Sequence, residues 1–141
     1  MAISPIQRIL TAVDLSSCSR AALAFACSLA RTCGARLEVL FVHPSSTGIA
    51  APPAVQGTPE RAELQAFIAS VPGTAGLSVS ERIESGDPRQ CIVALAEAGE
   101  FDAIVLGTHG RTGRARSLAG SVAEGVVRTA SCPVITVREA Q

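Results

Sequence analysis

Lysine is absent from this 141-residue chain, and all twelve basic residues are arginine. That removes Schiff-base chemistry and any phosphate loop built around a gripping lysine. Tryptophan and tyrosine are absent too, and the aromatic residues are four phenylalanines. Few platforms remain for stacking single-stranded bases. Neither sign of charge is in excess, since twelve basic residues stand against twelve acidic ones. The whole chain therefore lacks the basic footprint of a nucleic-acid binder. The longest helix-like apolar run, AALAFACSLA (21–30), is too short to span a bilayer, so no membrane partner is expected. The opening MAISPIQRIL lacks a charged head followed by an apolar run, and no secretory leader is expected. The five cysteines (Cys18, Cys27, Cys33, Cys91, Cys132) are odd in number and have no C-x-x-C spacing. They are expected to be reduced thiols packing as small hydrophobes in a cytoplasmic protein, and not a disulfide framework or a metal site.

What the chain does have is apolar substance: 48% hydrophobic against 17% charged residues, enough for a folded core in one domain over residues 1–141. RILTAVD (8–14) is a short apolar run ending in an acid and predicts a buried strand. SSCSRAALAFACSLARTCG (16–34) predicts a helix, with Ser16 or Ser17 as cap, apolar residues at helical spacing and Gly34 as terminator. ARLEVLFVH (35–43) predicts a second strand. Residues 44–58, rich in Gly, Pro and Ser, predict a long loop. Helices are then expected over 59–71, over 86–99 with Asp87 as cap and Pro88 at the first position, and over 120–130. Strands are expected over 77–85, with one exposed face, and over 101–107 and 132–138. Strands alternating with helices predict an α/β fold with a parallel sheet covered on both faces. In such sheets ligands bind beyond the carboxyl ends of the strands, where the strand order reverses.

LGTHGRTGRARSLAGS (106–121) is the unusual segment. It is not a Walker loop, and it is not the G-x-G-x-x-G dinucleotide fingerprint, because its glycines follow the fourth strand in a different spacing. Its pattern is G-x-x-G, nine residues, then G-S: Gly107, Gly110, Gly120, Ser121. About one chain in a hundred of this composition matches by chance. The first glycine closes a buried strand and the last pair opens a helix. Glycine lets backbone N–H groups approach an anion, and a helix N-terminus offers unpaired N–H groups and a favourable dipole.

The chain resembles the universal stress protein family, in its nucleotide-binding branch. The resemblance is carried by ILTAVDLSSCS, VLFVH, DAIVLGTHGRTG, GSVAEGVVR and CPVITV, and so covers nearly the whole chain. It implies a three-layer, doubly wound five-stranded parallel sheet of order 3-2-1-4-5, of the adenine nucleotide alpha hydrolase-like kind. It implies an adenine nucleotide as ligand, ATP with magnesium, or AMP or ADP. By the same resemblance Asp14, with Ala12 beside it, contacts the adenosine part, the backbone of Val42 meets the adenine edge, and Gly107 lies near the ribose. Gly110, Gly120, Ser121 and the N–H of Val122 hold the phosphates. Apart from the resemblance, Arg111 is taken as a phosphate contact because guanidinium suits that task, its alternative being a solvated loop face. Ala12-Val13 departs from the Pro-Thr that the ATP-binding pattern often carries. A homodimer through the C-terminal strand 133–138 is implied too, and agrees with the short apolar character of that strand, an association hazard unless covered.

Each of these residues also has a plainer role. Asp14 suits a helix start. Ser121 and Glu124 spell S-x-x-E, a capping box. His109 has no readable nucleophile or acid partner, and is assigned a structural or ribose-side place. His43 is assigned to a strand end, and Arg114 and Arg116 to a solvated loop face. No nucleophile–base pair or paired carboxylates are readable, so at most slow ATP hydrolysis or autophosphorylation is expected, with no catalytic residue assigned. The function expected is a nucleotide-dependent regulatory module of a stress response, with an unidentified protein partner. The alternative is a nucleotide-free interaction module of the same fold, working through its dimer surface and loop 44–58. An adenylating enzyme on a related sheet is disfavoured, because such enzymes carry a glycine-rich loop after the first strand and here that turn is DLSSCS.

Overall fold

The computed structural model describes residues 5–44, 59–108 and 121–139. Five strands, β1 (Arg8–Val13), β2 (Arg36–Pro44), β3 (Val79–Gly86), β4 (Ala103–Gly107) and β5 (Val134–Val137), alternate with four helices. These are α1 (Ser17–Cys33), α2 (Pro59–Ser70), α3 (Pro88–Ala98) and α4 (Ser121–Thr129). All strand pairs are parallel, in the order β3-β2-β1-β4-β5. This is the doubly wound α/β sheet expected from the sequence.

Side chains alternate across the pleat and feed two cores. From β1, Ile9 and Val13 join α1 and α2 on one face. Leu10, with half-buried Ala12, joins α3 and α4 on the other. β4 divides likewise: Val105 lies in the first core, and Ile104 and Leu106 in the second. Each fully buried Leu or Ile contributes about 1.5–3 kcal/mol. Ile9, Leu10, Leu37, Leu40 and Ile104 are all at 0% exposure, so the three central strands carry much of the stabilisation. Buried Thr11 donates its hydroxyl to Val105 O at 2.8 Å, which satisfies the group inside the sheet.

α1 forms as its sequence predicts. Ser16 is the cap and accepts from Ser19 N at 3.1 Å. Gly34 ends the helix at φ 67, the left-handed conformation glycine adopts without a Cβ penalty. Its buried stripe is Cys18, Ser19, Ala22, Leu23, Ala26, Cys27 and Ala30. α3 departs from expectation. Asp87 precedes Pro88 as foreseen but makes no side-chain cap bond; its carboxylate lies 4.0 Å from Arg89 Nε instead. In β3 the outward face is Ser80, Arg82 and Glu84, with Arg82 paired to Glu38 and Glu84. Glu81, on the α2 side, is held by Arg61 at 3.0 Å and Gln65 at 2.6 Å.

None of the five cysteines is in a disulfide. Cys18 and Cys27 are buried, as expected of small hydrophobes, while Cys33 is exposed. Burial pushes the thiols of Cys27, Cys91 and Cys132 up from the usual value, so they stay protonated at neutral pH. Among the described residues no helix is long and apolar enough to cross a membrane.

Candidate functional site

The central sheet forks at its carboxyl end. β1 and β2 are paired along the whole of β1, from Arg8↔Arg36 to Val13↔Phe41. β1 and β4 pair only from Ile9↔Ala103 to Thr11↔Val105, although β1 runs on to Val13 and β4 to Gly107. Ala12 and Val13 thus part from Leu106 and Gly107. The fork falls where the strand order reverses, the place at which open α/β sheets bind ligands.

Asp14 stands directly beyond β1, on the β1 side of this fork. The turn around it is tightly tied. Asp14 Oδ1 accepts from Ser16 N at 3.1 Å. Ser19 Oγ donates to Ser16 O at 3.0 Å and accepts from Asp14 N at 3.4 Å. Between them Leu15 has φ 67, a left-handed backbone that a leucine adopts only under constraint. Its side chain packs against the α1–α2 core, which holds the turn in place. Among the described residues, Asp14 Oδ2 accepts no hydrogen bond.

Gly107 stands on the β4 side. An added Cβ would lie 2.9 Å from Cys18 Sγ and 3.0 Å from Cys18 O. Glycine is required there by the first turn of α1, a reason that its spacing in the sequence does not disclose. Cys18, at 2% exposure, also donates to Val137 O at 3.6 Å, and its Sγ is 3.9 Å from Thr108 Oγ1. Thr108 N donates to the same Val137 carbonyl at 3.0 Å. The end of β4, the end of β5 and the start of α1 therefore meet at one thiol.

The remaining expected residues fall as follows. Val42 is 8% exposed, with its side chain in the α3–α4 core; one rung beyond Val13↔Phe41 it stands level with Asp14. Ala12 is half-buried against the same core, so what either residue offers a ligand is backbone. Ser121 is the first residue of α4 and Val122 the second, where helical N–H groups have no acceptor within the helix. Gly110, Arg111 and Gly120, with His109, Arg114 and Arg116, lie outside the described residues. Of the S-x-x-E reading, the side chain of Ser121 lies outside what the structure describes, and Glu124 reaches forward to Arg128 at 2.9 Å. His43 lies in β2, at the strand end expected of it. Sequence reasoning missed Cys18, Ser19 and Thr108 as parts of this neighbourhood. The serine-rich turn DLSSCS was visible, but nothing local pairs Cys18 with residues 90 and 119 positions away. Among the described residues no group of three His, Cys, Asp or Glu could hold a metal ion.

A parallel sheet whose strand order reverses between β1 and β4, with helices on both faces, defines the class: a doubly wound α/β protein. The chain belongs to the universal stress protein family, whose description matches residues 5–138. It is 44% identical over 64 residues to the universal stress protein MJ0531 of Methanocaldococcus jannaschii, a stretch covering 45% of this chain and 38% of that relative. The chain thus matches well under half the length of that curated relative. Among solved structures it is similar to a universal stress protein in complex with cAMP (TM-score 0.77, 23% identity, 97% of this chain and 100% of that one). It is also similar to the universal stress protein from Archaeoglobus fulgidus in complex with dAMP (TM-score 0.66, 27% identity, 95% of this chain and 99% of that one).

Proposed function

We propose that this protein binds an adenine nucleotide at the fork between β1 and β4, ATP first and AMP or ADP through the same contacts, and acts as a nucleotide-dependent regulatory module in a stress response. The observation that carries the reading is the ladder that stops at Thr11↔Val105 with Asp14 at its edge. The dAMP bound by the Archaeoglobus fulgidus relative supports the same ligand class.

In this reading Asp14, whose Oδ2 is free of partners among the described residues, accepts from donors of the adenosine part. Ala12 and Val42 contribute backbone at the adenine side, and Gly107 flanks the ribose. The residues fit a polyphosphate chemically even without lysine. The first-turn N–H groups of α4 at Ser121 and Val122 suit an anion, Gly110 and Gly120 permit close backbone approach, and Arg111 supplies charge. Magnesium would arrive with the phosphates, which together with water provide most of its ligands. Five cysteines without a disulfide fit a reducing compartment such as the cytoplasm. The edge position of β5, with no strand beyond it among the described residues, fits a homodimer.

The test is direct. With no tryptophan or tyrosine, the purified protein absorbs weakly at 280 nm, and retained nucleotide will dominate the 260/280 ratio. Calorimetry with Mg-ATP will show binding, Asp14→Ala will weaken it about tenfold, and Gly120→Val will abolish it. No excess at 260 nm together with no heat from Mg-ATP overturns the reading in favour of a nucleotide-free interaction module.

A further inference from the structure

We infer that Ser19 is a positioning residue of the nucleotide site: its buried hydroxyl fixes the β1–α1 turn so that Asp14 presents Oδ2 to the nucleoside. This rests on the reading that the nucleoside meets Asp14. The hydroxyl is a buried polar group, and the described residues contain only two buried polar side chains, Thr11 and Ser19. Thr11 is spent inside the sheet on Val105 O. Ser19 is spent on the turn.

The geometry explains how. Ser19 Oγ donates to Ser16 O at 3.0 Å and accepts from Asp14 N at 3.4 Å, bridging both sides of Leu15. The Ser16 carbonyl already receives the helical bond from Arg20 N at 2.9 Å, so the Ser19 hydroxyl is surplus to the needs of the helix. The cap is Ser16 Oγ, which receives Ser19 N. What the Ser19 hydroxyl adds is a tie between the helix start and the Asp14 backbone. Ser16 N then occupies Asp14 Oδ1, and Oδ2 is the oxygen left for a ligand. Left-handed Leu15 is the strained link that this tie holds shut. Strain kept in place by surrounding bonds is the mark of a preorganised site, and preorganisation raises affinity by removing the cost of ordering the binding group.

A double-mutant cycle separates positioning from general damage, since independent effects multiply and coupled ones do not. Adenosine, Mg-ATP and tripolyphosphate are titrated into the wild type, Ser19→Ala, Asp14→Ala and the double variant, with thermal unfolding of each as a fold check. Ser19→Ala is expected to weaken adenosine and Mg-ATP about fivefold and leave tripolyphosphate unchanged. In the Asp14→Ala background it has no further effect. Ser19→Cys, close in volume but a poorer hydrogen-bonding group, gives a smaller loss of the same pattern and replaces the alanine variant should that unfold. A fivefold loss that persists without Asp14, or no loss in a folded Ser19 variant, overturns the positioning role alone. If Asp14→Ala binds adenosine as the wild type does, or the wild type binds none, the nucleotide reading at Asp14 falls and the positioning role with it.

Discussion

At Gly107 a hydrogen atom stands where any other residue would place a carbon 2.9 Å from Cys18 Sγ and 3.0 Å from Cys18 O. The sulfur lies in a buried side chain and the oxygen in the first turn of α1, so neither moves without disturbing packing. Gly107→Ala is expected to lower stability by about 1–3 kcal/mol, as overpacking does, read from the midpoint of urea unfolding. Combined with Cys18→Ala, part of that loss is recovered, because the sulfur goes while the carbonyl stays; simple addition of the two single losses would contradict the contact. The spacing of the glycines singles out Gly107 in the sequence. It says nothing of Cys18, because the reason is a contact between segments far apart in the chain. The place of Asp14 was legible for a different reason: an acid closing the first buried run marks the end of the strand, and Asp14 follows β1 directly.

Helix starts show how far single elements can be read. Ser16 and Asp87 are both good cap residues in sequence, and only one caps. Ser16→Ala is expected to cost about 1 kcal/mol, whereas Asp87→Ala, with no cap bond to lose, costs under about 0.5 kcal/mol; equal losses in chemical denaturation would refute the distinction. The alternation of strands and helices was legible because apolar runs and caps are local. The ends were less so: β1 stops at Val13 rather than at Asp14, and β3 begins at Val79 rather than at residue 77. Asp14 leaves the strand because its carboxylate binds Ser16 N, a side-chain choice that periodicity does not register. Glu81 likewise lies on the covered side of β3 because α2 supplies Arg61 and Gln65, partners 20 and 16 residues away.

For the whole molecule, the two edges of the sheet are unlike. β3 carries Glu81, Arg82 and Glu84 along its length, the kind of charged edge that resists pairing. β5 reads VITV and carries no charge. Ile104 N donates to Pro133 O and Thr108 N to Val137 O. By parallel alternation the odd-numbered residues of β5 bond to β4, and Val134 and Thr136 turn their N–H groups outward. Half-buried Ile135 and Val137 border this edge on the α1 side, and Phe25 of α1 is 43% exposed. A second copy paired along β5 would cover this strip. Sedimentation equilibrium is expected to give a dimer for the wild type and a monomer for Thr136→Pro, which removes an outward donor and leaves the β4 ladder intact. A monomeric wild type, or a variant that stays dimeric, counts against pairing through β5.

The fork has a further consequence when the chain is considered as a polymer. β1, β2 and β3 are neighbours joined by successive crossovers, but the β1–β4 seam closes a span of 94 residues, as the Thr11–Val105 bond shows. Closure entropy grows with the logarithm of that span, and contacts so remote in sequence form slowly. Three ladder rungs, the bonds that Asp102 accepts from Gln7 and Arg8, and the packing of β4 into both cores reward the closure. A ligand lying across the seam would act as a stitch, adding stability by mass action where chain connectivity contributes little.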